Sequence, residues 1–189
     1  MKFTRRDFIK NILLSSSSLF LSSVPSHAIP KKEEPWIPAY EKLEKQGKFA
    51  ERIKQAYAIF ENCQLCPRRC GVNRKKDERG FCRAPMKLVV FGAHPHFGEE
   101  ISLVGQNGSG TIFFSNCNLL CIFCQNWPIS HEGRGNECED EELAEMMLKL
   151  QKIGCHNINL VTPTHVMPNI LHATRIAYDK GLRIPLGNL

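Results

Sequence analysis

The chain has no run of about 20 apolar residues, so nothing in it reads as a stable membrane-spanning helix. It has no internal repeat beyond a β-α-β-α alternation. It has no strong excess of one charge either: 25 Lys+Arg stand against 19 Asp+Glu, a net +6. With 42% hydrophobic and 23% charged residues, its composition is ordinary for a globular protein. These absences exclude multi-span membrane, collagen-like and disordered classes. The 189 residues suit about one domain with a small appendage. Cysteine is what the chain does have. It carries nine, an odd number, so a complete disulfide framework would leave one thiol over.

The start of the chain reads as an address. Residues 1–28 run from a basic head (Arg5, Arg6, Lys10) through a short, serine-diluted apolar stretch to Ser26-His27-Ala28, with small residues at the −3 and −1 positions of a cleavage site. The Arg5-Arg6-Asp7-Phe8-Ile9-Lys10 run resembles a twin-arginine (Tat) export signal, which carries folded, often cofactor-loaded proteins. Export to the periplasm or cell envelope is therefore expected, and a cytoplasmic location if the signal is not used. Lys2, Arg5, Arg6 and Lys10 against Asp7 make +3 of the +6 part of this segment. Overall charge then gives little support to nucleic-acid binding, and no nucleic acid is expected as a partner.

Residues 29–61 read as a proline-rich linker followed by helix, divided at Gly47, with Phe49, Ile53, Tyr57 and Phe60 at helical spacing. Residues 62–87 form a compact four-cysteine module, and residues 88–189 a core of alternating strands and helices. Strands are expected at Leu88–Phe91, Thr111–Phe114, Asn157–Thr162 and Leu182–Pro185, with an irregular glycine-rich stretch over Ala93–Gly110. Helices are expected over Glu139–Ile153, whose first turn is acidic, and Val166–Lys180. This alternation predicts a parallel sheet with helices outside. Gly105 to Gly110 precedes a strand, so it reads as a turn and not as a phosphate loop. Cys138 lies among acidic residues and reads as an exposed thiol, and Cys155 as a small core residue. His94 and His96 read as turn or surface residues, with a ligand role as the alternative.

Cys117, Cys121 and Cys124, at spacing Cys-x3-Cys-x2-Cys, follow an expected strand at once. A four-iron cluster usually takes four cysteine ligands, so three from one loop leave one iron open, as catalytic zinc sites keep an open position. A zinc knuckle completed by His131, or disulfides, are the alternatives. The motif, with Phe123 before its last cysteine, is similar to that of the radical S-adenosylmethionine (SAM) superfamily. Gly108 to Ser115 (GSGTIFFS), Gln125-Asn126, Cys63 to Arg74 (CQLCPRRCGVNR), Gly80-Phe81-Cys82 and Asn159 to His165 (NLVTPTH) extend the likeness. They resemble the branch of pyruvate formate-lyase activating enzyme-like proteins.

The resemblance implies an α/β fold: an incomplete radical SAM (partial TIM-type) barrel behind a helix and a cysteine-rich module. It implies a [4Fe-4S] cluster on Cys117, Cys121 and Cys124. There SAM is reductively cleaved to a 5′-deoxyadenosyl radical that takes hydrogen from a substrate, a glycyl-radical-type protein being one candidate, with electrons from an unidentified reductant. The family contacts SAM with a glycine-rich stretch ending in Glu after the second strand. Here that stretch reads Val161 to His165, so Thr162, Thr164 and His165 join Phe123 as candidate SAM contacts.

Cys63, Cys66, Cys70 and Cys82 lie within 20 residues that hold too few apolar side chains for a core, which points to a metal staple. Zinc and a second iron–sulfur cluster both fit, and disulfides are the alternative in an exported chain. Arg68, Arg69, Arg74, Lys75, Lys76, Arg79, Arg83 and Lys87 would offset the thiolate charge. A full barrel needs eight βα units, and the residues after Thr111 supply two and part of a third. The expectation is a truncated chain, with an exposed edge and an uncovered apolar sheet face that a partner chain would complete. A metal-binding or electron-transfer protein without SAM chemistry, and an inactive truncated homologue, are the other readings.

Overall fold

The computed structural model describes residues 36–188. The segment read as a targeting signal, residues 1–28, and most of the expected linker lie outside them. Among the described residues no helix is long and apolar enough to cross a membrane.

Two helices open the fold, α1 (Ala39–Lys45) and α2 (Phe49–Ala58). They part at Gly47, whose φ of 66° is left-handed, as the sequence led us to expect. Both pack on the later helix over Met167–Asp179 and bury Tyr40 and Phe49; the Tyr40 hydroxyl donates to the Ile184 carbonyl at 2.8 Å. The module over residues 62–87 follows, with little regular structure beyond a 3-10 turn at Arg74–Lys76.

The sheet has five strands: β1 (Leu88–His96), β2 (Ser109–Phe114), β3 (Asn136–Cys138), β4 (Ile158–Val161) and β5 (Leu186–Asn188). Their spatial order is β3-β1-β2-β4-β5, and the sheet is open. It is mixed, not parallel throughout. β2, β4 and β5 run parallel through the crossover helices α5 (Asp140–Ile153) and α6 (Met167–Asp179), whereas β1 is antiparallel to both β2 and β3. The alternation expected from the sequence thus governs only the second half. Part of the stretch read as irregular belongs to β1, which bulges between Val90 and Gly92 and then pairs from Gly92↔Phe113 to His96↔Ser109. A one-turn helix, α3 (Ile101–Val104), and the turn at Gly105–Gly108 complete the connection. His94 and His96 are therefore strand residues, with His94 stacked on Phe113 at 5.6 Å.

Periodicity explains the core. Ile112 and Phe114 of β2 and Ile158 and Leu160 of β4 alternate onto one face, under Leu143, Met147 and Leu150 of α5 and Ile170, Ala173 and Ala177 of α6. Helix α5 is held at its start by a capping box between Glu139 and Glu142 and stopped by left-handed Gly154. The opposite face is not the bare apolar surface expected. It carries Ser109, Thr111 and Asn159, all buried, and Ser109 bonds both Asn157 (2.6 Å) and Asn159 (2.8 Å). Half-buried Phe113 and Val161 share this face, which is therefore mixed.

Two further expectations are corrected. Leu182–Pro185 is not a strand: Leu182 plugs the core and β5 begins only after Pro185, which has no N–H to give a ladder. Cys138 is buried, because β3 pairs Cys138 with Leu88 and turns the thiol inward; burial, with Glu142, Asp140 and Glu139 adding, pushes it up to about 11. Cys155 is a core residue as expected.

Candidate functional site

The three-cysteine loop leaves β2 at the end where the parallel strands β2 and β4 both finish. Its path is fixed by backbone bonds from Ser115 to Val89 (2.9 Å) and from Asn116 to Ile129 (2.9 Å), and by left-handed turns at Asn116 (φ 67°) and Leu120 (φ 50°). These conformations are costly for residues with a Cβ and persist where the surroundings impose them. Cys117 is buried, Cys124 half-buried and Cys121 exposed. The Leu119 N–H donates to the Cys117 sulfur at 3.3 Å, and the Ser130 hydroxyl to the Cys124 sulfur at 3.2 Å. Ser130 belongs to a short helix, α4 (Trp127–Ser130). The loop tip faces outward, with Phe123 98% and Ile122 82% exposed.

The module is built differently. Backbone bonds from Cys63 to Val72 (3.0 Å) and from Gly71 to the Cys63 carbonyl (3.0 Å) fold its first half into a tight ribbon. A Cβ on Gly80 would run into the Cys70 sulfur, so that position has to be glycine for the backbone to close around the thiol. Cys63 and Cys82 are buried. Burial, with the neighbouring Cys70 adding, pushes the Cys63 thiol up. Among the module's cations Lys75 pairs with Glu61, Arg79 with Asp77 and Lys87 with Glu139. Among the described residues Arg74 pairs with no carboxylate. It is 3% exposed, and its guanidinium gives one N–H to the Cys82 sulfur (3.4 Å) and one to the His165 carbonyl (2.7 Å), while Nε has no partner.

Arginine also joins the two cysteine regions. Arg68 donates from Nε to the Asn118 carbonyl at 2.9 Å and lies 3.3 Å over the Phe81 ring. Arg83, next to Cys82, donates to the His131 carbonyl, and His131 follows Ser130. The module therefore sits against the loop through Asn118 and His131, and against the end of β4 through His165.

All nine cysteines are free thiols. Among the described residues no three His, Cys, Asp or Glu side chains are drawn together tightly enough to hold a metal ion. The fit of each region to a thiolate-bound group rests instead on its donor set. In the loop, three thiols share one strand end and two of them already receive N–H or O–H donors. In the module, a buried guanidinium that hydrogen-bonds a cysteine sulfur has its charge balanced when that sulfur is a thiolate. Both donor sets fit a thiolate-ligated group, and the module's suits zinc or an iron–sulfur cluster.

The expected SAM contacts divide. Phe123 is open. Thr162, left-handed at φ 55°, is half-buried and donates to the Phe114 carbonyl at 3.4 Å; Thr164 is half-buried. His165 is 1% exposed, and its Nε2 lies 2.8 Å from the Ser115 carbonyl, which leaves Nδ1 buried without a partner. Burial holds its imidazole down at about 4, so the ring is neutral at ordinary pH. The histidine clamps the two strand ends together.

Sequence reasoning missed Arg74 as a hub, since it stood as one cation among eight. It also missed Ser130. A third cluster, Tyr57, Asp140, Asn169 and His172, ties α2 to α5 and α6: Asp140 accepts from Tyr57, from Asn169 at 3.0 Å and from His172 at 2.8 Å. It lines an open groove of about 820 Å³ beside the module. Nothing local in the sequence announces it, because its members are joined only by the fold.

Two curated proteins resemble the chain. An uncharacterized protein of Methanocaldococcus jannaschii, MJ0674, is 40% identical over 129 residues, covering 64% of this chain and 36% of its own length. A second uncharacterized protein of that organism, MJ0808, is 26% identical over 139 residues, covering 64% of this chain and 40% of its own length. The chain thus spans two fifths or less of the curated relatives it matches. No family model matches the chain, and no solved structure does.

Proposed function

We propose that the chain is part of a radical SAM iron–sulfur protein, with a [4Fe-4S] cluster held by Cys117, Cys121 and Cys124. The observation that carries the reading is the placement of this three-thiol loop at the shared end of two parallel strands, with donors from Leu119 and Ser130 directed at its sulfurs. Cys117, Cys121 and Cys124 would hold the cluster, which would supply one electron from a reductant to SAM, so that its C5′–S bond breaks to methionine and a 5′-deoxyadenosyl radical able to take hydrogen from a substrate. The chain's own part is to hold and shield. Asn116 and Leu120 bend the loop, Ser115 and His165 lock it to the end of β4, and Phe123 offers an open aromatic face to the ligand. Thr162 and Thr164 line the neighbouring strand end. In the finer architecture proposed here, β2, α5, β4, α6 and β5 are the first units of a partial barrel. The four-cysteine module staples the outside of the loop around zinc or a second cluster, and the Tat-like segment directs export.

Anaerobic reconstitution should load about four irons on the loop, and the triple Cys117/Cys121/Cys124→Ala variant should lose them. With dithionite as reductant, the loaded protein should cleave SAM to 5′-deoxyadenosine. A fully loaded cluster that leaves SAM intact would sink the reading. Fusing residues 1–40 to a reporter decides export.

A second reading, metal binding or electron transfer without SAM chemistry, is favoured by one observation. The strand end that should hold the SAM amino group lacks the expected glycines and Glu, and its one imidazole is enclosed against Ser115.

A further inference from the structure

The hydrogen bonds around Cys124 are set by the number of protons available. Ser130 is 6% exposed, and its hydroxyl oxygen lies 3.2 Å from the Cys124 sulfur and 2.8 Å from Nδ1 of His131. A hydroxyl has one proton to give. If that proton points at the sulfur, the bond to His131 is made by an Nδ1–H donating to the serine oxygen, which polarises the hydroxyl further toward the sulfur. The imidazole is held for this. It stacks on the Trp127 indole with centroids 3.5 Å apart and planes 8° from parallel, and the backbone carbonyl of His131 accepts from Arg83 of the module. Ser130 is itself fixed by its N–H to the Asn126 carbonyl at 2.9 Å. A buried serine with both neighbours preset is a directed donor.

We propose that Ser130 is a positioning residue that sets the reduction potential of the group bound at Cys117, Cys121 and Cys124, by donating a hydrogen bond to the Cys124 thiolate through the Trp127–His131–Ser130 relay. The proposal rests on the cluster reading above. Reduction adds a negative charge that is shared by the ligand sulfurs, so an O–H donor stabilises the reduced form more than the oxidised one and raises the potential. The relay reaches back to the module through Arg83, which makes the potential depend on how the module is seated.

The test is an EPR-monitored redox titration of the anaerobically reconstituted full chain, with iron content measured alongside. Ser130→Ala should bind the same iron and titrate at a lower potential than wild type, so that a fixed potential leaves a smaller fraction of the EPR-active reduced form. Ser130→Thr, which keeps the hydroxyl, should return the potential toward wild type. An Ala variant with full iron and an unshifted potential would overturn the proposal and leave the cluster reading standing. If Ser130→Ala takes up no iron, Ser130→Val and Ser130→Thr carry the same test at equal shape, and equal potentials overturn it. Absence of iron on the loop in the wild-type protein overturns both readings at once.

Discussion

The two cysteine regions use the same side chain in opposite ways. In the module, Cys63 and Cys82 are buried, Gly80 closes against Cys70, and the charge of Arg74 is turned inward onto a sulfur. Around the loop, the sheet already supplies the support. β2 enters it from the centre of a packed core, His165 clamps it, and the apolar residues at its tip stand in the open. The module has few apolar residues of its own, so under the proposed function a bound group would be what keeps it folded. The loop is folded by its neighbours and is free to offer its thiols. Under the proposed function, removing the bound group from each should therefore cost different things.

The largest expected effect is the double Cys63→Ala, Cys82→Ala variant. It should lose the module's metal and more than about 5 kcal/mol of stability, because structural metal binding contributes its free energy to folding. The triple loop variant should lose its iron yet unfold within about 1 kcal/mol of the wild-type protein, since Cys117 is the one buried thiol of the three and its change to Ala removes a single sulfur. Thermal unfolding with parallel metal analysis checks both. Equal melting of the two variants would break the contrast.

Arg74 comes next, at the place where the regions join. Arg74→Met removes the bonds to Cys82 and to the His165 carbonyl and leaves a buried acceptor without its donor. The expected loss is about 3 kcal/mol in denaturant unfolding. Arg74→Lys should recover little of it, because one ammonium cannot span both partners. A neutral Arg74→Met would mean that the module and the strand end are coupled elsewhere.

What was legible beforehand follows the same division. The loop's spacing lies in eight consecutive residues, and the helix at Asp140 announces itself through an acidic capping box and apolar periodicity. The split at Gly47 needs only one residue's conformation. The antiparallel strand β1 was half hidden, because His94-Pro95-His96 lacks apolar alternation and becomes a strand only by pairing with Ser109 to Thr111. Cys138 was misjudged from its acidic neighbours, while its burial comes from pairing opposite Leu88. The Arg74–His165 contact spans 91 positions, and no local pattern encodes it. The polar face of Ser109 and Asn159 depends on register between strands that lie far apart in the chain.

A smaller, pH-dependent effect tests the clamp. The His165 pKa stands at about 4 in the fold, against about 6.5 when unfolded. A histidine depressed in this way contributes fully above pH ~6.5, and its contribution is lost as the pH falls toward 4. The unfolded chain takes up the proton first, so the loss approaches roughly 3 kcal/mol below that range. His165→Gln keeps an N–H for the Ser115 carbonyl but cannot titrate. Its stability should be flatter between pH 6.5 and 4 than that of wild type, as measured by denaturant unfolding at each pH. An unchanged slope would show that the acid sensitivity lies in other groups.

The smallest stability change should come from Phe123, and that smallness sharpens the contrast. Two of the phenylalanines near the cysteine regions make the comparison. Phe60, three residues before Cys63, is 0% exposed, meets Tyr57 edge-on at 5.6 Å and lies under Arg74 at 5.4 Å. Phe123, one residue before Cys124, is 98% exposed. Phe60→Ala empties a core site and should cost about 3–5 kcal/mol. Phe123→Ala removes almost no buried surface, so stability should move by less than about 0.5 kcal/mol. A ring this exposed contributes little to folding, so stability and ligand binding can be read apart at this position. Under the proposed function Phe123→Ala leaves melting and iron content unchanged while weakening SAM binding, read by isothermal titration of the loaded protein. Unchanged affinity would remove Phe123 from the site and leave the loop as a thiol donor alone.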